Sequence, residues 1–183
     1  MPAFRSRLSA SQRRIYDRSD ATTSIRLRAS LPLRKSVETL ADALASASST
    51  AVTAVAQSIA DEICAALDVT RVCVTVNGTR PSNPSGELHG LYTSTPGSTP
   101  TIQLWMLTAK RGQVVAYRTF LRTLLHEICH HLDYTLLGLA DSFHSTGFYK
   151  RESSLFHQIG GSRIPQARKR SSAAPSRTAS THR

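Results

Sequence analysis

The stretch QVVAYRTFLRTLLHEICHHLDYTLL, Gln113 to Leu137, decides the reading of this chain. Val114, Tyr117, Phe120, Leu121, Leu124, Leu125, Ile128, Leu132 and Leu136 recur at the spacing of one helix face, which predicts a long, largely buried helix ended by Gly138. Within it lies His126-Glu127-Ile128-Cys129-His130, a His-Glu-x-x-His pattern. Residues four apart share a helix face, so His126 and His130 can aim two imidazoles at a single ion. Glu127 follows the first histidine and can reach a water on that ion without binding the ion itself. Seven His and five Glu in 183 residues produce the pattern by chance in roughly 0.7% of chains. The helical context therefore carries much of the weight.

Upstream, Ser36 to Asp68 reads as two helices. Val37, Leu40, Ala41 and Leu44 form one apolar stripe, and Val52, Val55, Ala56, Ile59, Ile63 and Leu67 form the other, with Ser46–Thr50 between them. From Arg71 the period changes to two. Val72, Val74 and Val76 alternate with polar neighbours, and Asn77-Gly78 predicts a turn. Glu87–Thr93 and Thr101–Leu107 read as a hairpin with a long loop. Downstream, Phe148, Leu155, Phe156 and Ile159 predict a short last helix starting near Ser145 or Thr146. The fold class is α+β: N-terminal helices, a sheet of three or more strands, the motif helix and a short C-terminal helix.

The net charge of +11 is carried by the chain ends. Residues 1–35 hold nine Arg/Lys against Asp17 and Asp20, and residues 161–183 hold six with no acid, while 36–160 nets −2. Both ends are read as disordered basic tails, leaving residues 36–160 as the domain. Such tails attract polyanions without reading sequence, so nonspecific nucleic acid is an expected partner. No apolar run follows the N-terminal arginines and none is long enough to span a bilayer, which excludes a membrane partner and predicts a cytoplasmic protein. Cys64, Cys73 and Cys129 are odd in number and show no paired spacing, unlike a disulfide framework.

A catalytic zinc site needs a third protein ligand and an open position. Two downstream residues qualify. His144 lies just beyond the motif helix, and Glu152 shares the apolar face of the last helix, where a carboxylate needs a partner. Asp141 is a weaker candidate. Asp133, three residues after His130, returns to the ligand face and could accept a proton from a ligand imidazole. His131 points about 100° away from His130, so it packs or supports a ligand. Tyr149, Tyr134 and His131 are candidates to hold an oxyanion. His89, His157 and His182 have no spacing that recommends them.

With its helix-borne HEICH, the preceding strands and a later His followed within a few residues by Gly and Phe, the span from Ser36 to Gly160 resembles the small zincin metallopeptidases. The SprT-like type is the most similar. The resemblance implies zinc as cofactor, His126, His130 and His144 as ligands, Glu127 as catalytic base and a protein or peptide as substrate. His-Ser-Thr-Gly-Phe departs from that family's usual His-Gly-x-x-Phe, which keeps Glu152 open as the third ligand, as in gluzincins. A metzincin is excluded, because Asp133 and Leu136 stand where that class needs Gly and His. The resemblance further implies DNA-associated proteolysis, to which basic tails are suited. The competing readings are a nucleic-acid-binding protein whose zinc site is structural or inactive, and a protease with one dedicated protein target. A substrate peptide could add as a strand along Leu88–Thr93.

Overall fold

The computed structural model describes residues 2–84 and 86–160. In chain order the elements are α1 (Pro2–Arg5), α2 (Ala10–Ala21), α3 (Leu31–Ala45), α4 (Ser49–Ala66), β1 (Cys73–Thr79), β2 (Ser82–Asn83), β3 (Gly86–Glu87), β4 (Gly90–Thr93), β5 (Thr101–Leu107), α5 (Tyr117–Thr135) and α6 (Thr146–Gln158). The architecture is α+β, with helices around a small mixed sheet of order β1-β5-β4. Among the described residues, no helix is long and apolar enough to cross a membrane.

The core follows from the two periodicities. Leu40, Ile59, Ile63, Ile102, Leu104, Leu121, Leu124, Leu125, Ile128 and Phe148 are all fully buried in one cluster. Burying an aliphatic or aromatic side chain of this size stabilises the fold by about 1.5–3 kcal/mol. Val74 and Val76 of β1 and Ile102, Leu104 and Met106 of β5 point inward, while their neighbours face outward.

The sheet has two edges, and they differ. β1 runs parallel to β5, and the hairpin partner β4 runs antiparallel to it on the other side. The outer edge of β1 is covered by α4. Val74 N–H donates to Gln57 Oε1 at 2.7 Å, Gln57 Nε2 donates to Val72 O at 2.9 Å, and Val76 N–H donates to Thr53 Oγ1 at 3.0 Å. Side chains thus satisfy the groups that would otherwise recruit a further strand. β4 is the other edge, and it lies against α5.

Several boundaries depart from the sequence reading. The motif helix starts at Tyr117, not Gln113, because Val114 bridges to Leu107 and Val115 N–H donates to Met106 O at 2.9 Å. Asn77-Gly78 is not a turn: β1 continues through it, with Asn77 opposite Trp105 and Thr79 opposite Leu107. The larger correction concerns residues 1–35, read from composition as a disordered tail. Here α2 is closed by a capping box between Ser9 and Gln12, and Tyr16, Ser19, Ile25, Leu27 and Leu33 are buried. A few apolar side chains suffice because polar anchors assist them. Arg18 donates to Leu137 O at 2.6 Å, and Gln158 donates to Ile25 O while accepting from Leu27 N–H, both at 2.8 Å. The folded unit therefore begins well before Ser36. The reading of 161–183 as a basic tail, and His182 with it, lies outside the described residues.

Candidate metal centre

α5 carries His126 and His130 one turn apart, with ring centroids 5.0 Å apart. Beyond α5 the chain turns back at Gly138, which has φ 58°, and brings His144 onto the same point. Nε2 of His144 lies 2.9 Å from Nε2 of His126 and 3.0 Å from Nε2 of His130. A tetrahedral ion with bonds of 2.0–2.1 Å holds its ligand nitrogens about 3.3 Å apart. Both spacings from His144 stand a few tenths of an ångström inside that value, and one ligand atom from each of the three histidines lies within 4.8 Å of the others. These are the only described residues grouped closely enough to hold a metal ion. His144 is exposed and the two helix histidines are half-buried, which leaves a solvent-facing side for a further ligand.

The opposite face of each helix histidine is occupied. Nδ1 of His126 lies 3.4 Å from Glu152 Oε2, and Glu152 is held in turn by Arg122 at 3.0 Å. The Arg122 guanidinium stacks 4.2 Å over Phe156. Nδ1 of His130 lies 2.7 Å from Ser142 Oγ, whose hydroxyl also meets Asp133 Oδ2 at 2.7 Å. Both rings are therefore braced at Nδ1 with Nε2 turned to the common point, an arrangement that ligand histidines need. Phe148, fully buried on α6, packs under all three rings at 4.8–5.2 Å between centroids.

Burial governs the titration. It pushes His130 down from 6.5 to about 3, reinforced by His126 and His144, and it lowers His144 as well. Neutral imidazoles are the form that binds metal. Burial raises the carboxyl of Glu127 above its ordinary value, opposed by the charge of His126 and by a hydrogen bond from Tyr92 N–H. Asp133 is also raised by burial, against the pull of Ser142 and Arg151.

Glu127 is nearly buried, at 5% exposure, and faces β4. A Cβ on Gly90 would stand 2.5 Å from Glu127 Oε1, so the absence of a side chain there makes room for the carboxylate. Two clefts share Gly90, His126 and Glu127. One, of about 310 Å³, is also lined by His89, Arg122, Thr123 and Glu152; the other, of about 360 Å³, by Leu91, Tyr92, His130, Tyr134, Ser142 and His144.

The candidate residues fall into groups. His126, His130 and His144 come together, with Glu127 beside them. Glu152 stands behind His126, on the face away from the other histidines, and so braces a ring where the sequence reading had offered it as an alternative third ligand. Asp141 accepts from Ser142 N–H at 2.8 Å and belongs to the turn. Asp133, a candidate partner for a ligand imidazole, reaches His130 through Ser142. His131 spends both nitrogens elsewhere, on Tyr92 Oη at 3.2 Å and Thr70 O at 2.7 Å, so it packs the helix on the sheet. Tyr149 is partly exposed, with its ring 5.8 Å from that of His144, and Tyr134 stacks on Tyr92 at the cleft wall.

Sequence reasoning missed Ser142, Gly90, Arg122, Arg151 and the lining role of His89. Only Arg151 left a readable signal, as an arginine on the apolar stripe of Phe148 and Leu155. Comparison with family models, with curated proteins and with solved structures finds no match for this chain.

Proposed function

We propose that this protein is a zinc-dependent peptidase with a zincin-like active site. The observation that carries this reading is the convergence of the Nε2 atoms of His126, His130 and His144 on one point, with Glu127 buried beside them. A three-imidazole set with an open side suits zinc in catalytic coordination. A bound zinc ion would supply Lewis acidity, lowering the pKa of a water and polarising a carbonyl.

The chain's own residues do the remainder. Glu127 takes the proton of the attacking water and returns it to the leaving amine, a role for which a carboxyl raised by burial is suited. Glu152 and Ser142 hold the two helix imidazoles in the Nδ1–H tautomer. The outer edge of β4 is the natural track for a peptide: Tyr92 N–H on that strand is held by Glu127, so a substrate that takes over that amide by strand addition would lie across the site. Tyr134, on the cleft wall, and Tyr149, with its ring beside His144 and His126, are the two phenols that could meet substrate.

Zinc analysis of the purified protein together with Glu127→Gln tests this reading. About one zinc per chain, kept in the variant while peptide cleavage is lost, is the expected result. A protein that neither holds zinc nor gains thermal stability from added zinc removes the reading altogether. The DNA tether is a separate matter. Part of the N-terminal charge is spent within the fold, on Asp17 by Arg5 and on Leu137 O by Arg18. Salt-sensitive DNA binding by the full chain would support a tether, and none at low salt would dismiss it.

A further inference from the structure

We infer that Ser142 is a positioning residue of the metal centre: its hydroxyl links His130 to a buried Asp133–Arg151 pair that is itself anchored on the end of α2. This role presupposes that His130 binds the ion.

The hydrogens of the network can run in only one direction. The Arg151 guanidinium, with no exposed surface, donates to Asp133 Oδ1 at 2.7 Å, which marks Asp133 as its carboxylate partner and an acceptor. Ser142 Oγ, 2.7 Å from Asp133 Oδ2, must therefore donate its single proton there. Its lone pair is then available to Nδ1 of His130 at 2.7 Å, and that nitrogen must carry the hydrogen. Nε2 is left with a bare lone pair aimed at His144 and His126. One tautomer and one ring orientation are thus selected before any ion arrives.

Arg151 is immobilised from the other side. It donates to Ser19 O at 2.5 Å, Thr22 O at 2.6 Å and Ser19 Oγ at 3.0 Å. The end of α2 thus lies four links from a metal ligand, through Arg151, Asp133 and Ser142. The same segment steadies the turn that bears His144: Gly147 N–H donates to Asp20 Oδ1 at 2.8 Å, and Phe143 packs on Tyr16 with centroids 6.0 Å apart.

Zinc titration of the full chain against a chromophoric chelator tests the role of Ser142. Ser142→Ala should raise the zinc Kd by about 10–100-fold, as loss of an outer partner of a ligand does, and Ser142→Thr, which keeps the hydroxyl, should restore most of it. The cobalt(II) ligand-field spectrum should shift in the alanine variant and return in the threonine variant. Nitrogen NMR of the zinc-loaded wild type, which needs no variant, should show His130 as the Nδ1–H tautomer with a slowly exchanging proton. An alanine variant that binds zinc as tightly as wild type, a threonine variant no better than alanine, or a freely exchanging His130 proton would overturn the inference. A wild type without zinc affinity would instead overturn the metal site itself, and shows before any variant is made.

Discussion

The carboxylate of Glu152 lies 3.4 Å from Nδ1 of His126, on the side of the ring turned away from His144. On the proposed reading it braces a ligand, and the third corner of the site falls to His144. His144→Ala should abolish tight zinc binding, whereas Glu152→Ala should weaken it by about 10–100-fold. Chelator competition on the two variants measures the ranking. The reverse order would make Glu152 the ligand.

Gly90 controls the room given to Glu127. An alanine there would bring its Cβ to 2.5 Å from Oε1, 2.8 Å from Cγ of Glu127 and 2.9 Å from Cγ2 of Thr123. Gly90→Ala should displace the carboxylate and lower kcat by about 100-fold, within the range of general-base contributions, while zinc content stays at the wild-type level. Steady-state kinetics with parallel metal analysis would check this, and unchanged kcat would count against Glu127 as the base.

The metal-free protein should be acid-sensitive. Burial depresses His130 to about 3 and also lowers His131 and His144 from 6.5. Below about pH 6.5 these three histidines bind more protons in the unfolded chain than in the folded one, so the stability tied to their neutral state is complete above that pH and is lost as pH falls toward 3. The raised carboxyls of Glu127 and Asp133 act in the opposite sense. Melting curves of chelator-treated protein should show Tm dropping between pH 7 and pH 5. His130→Gln should flatten the dependence, and a Tm that rises on acidification would contradict the assignment.

The seam between α2 and α6 has no space for a methyl group. A Cβ on Gly147 would fall on the backbone carbonyls of Asp20 and Ser19, neither of which can rotate aside. Gly147→Ala should destabilise the fold by about 2–3 kcal/mol, typical of overpacking against fixed atoms. Denaturant unfolding gives the magnitude. Limited proteolysis should also show earlier cleavage within residues 1–30.

Local chemistry made the motif helix and the meeting of its two histidines readable. Two histidines four apart on an apolar helix face converge whatever the remainder of the chain does, and the cap at Ser145 is likewise local: its hydroxyl accepts from Phe148 N–H at 3.1 Å. The α+β class followed from the change of period between Leu67 and Val72. Long-range packing set the remainder, through contacts that leave no periodic trace. Ser142 and Asp133 are nine residues apart, Arg151 and Ser19 are 132 apart, and nothing in a run of Arg and Ser says that α2 will be clamped beside the site. Composition weighs residues 1–35 by their charge. The fold weighs them by Tyr16, Ile25 and Leu27, whose burial supplies the free energy, and by carbonyls that find one buried guanidinium.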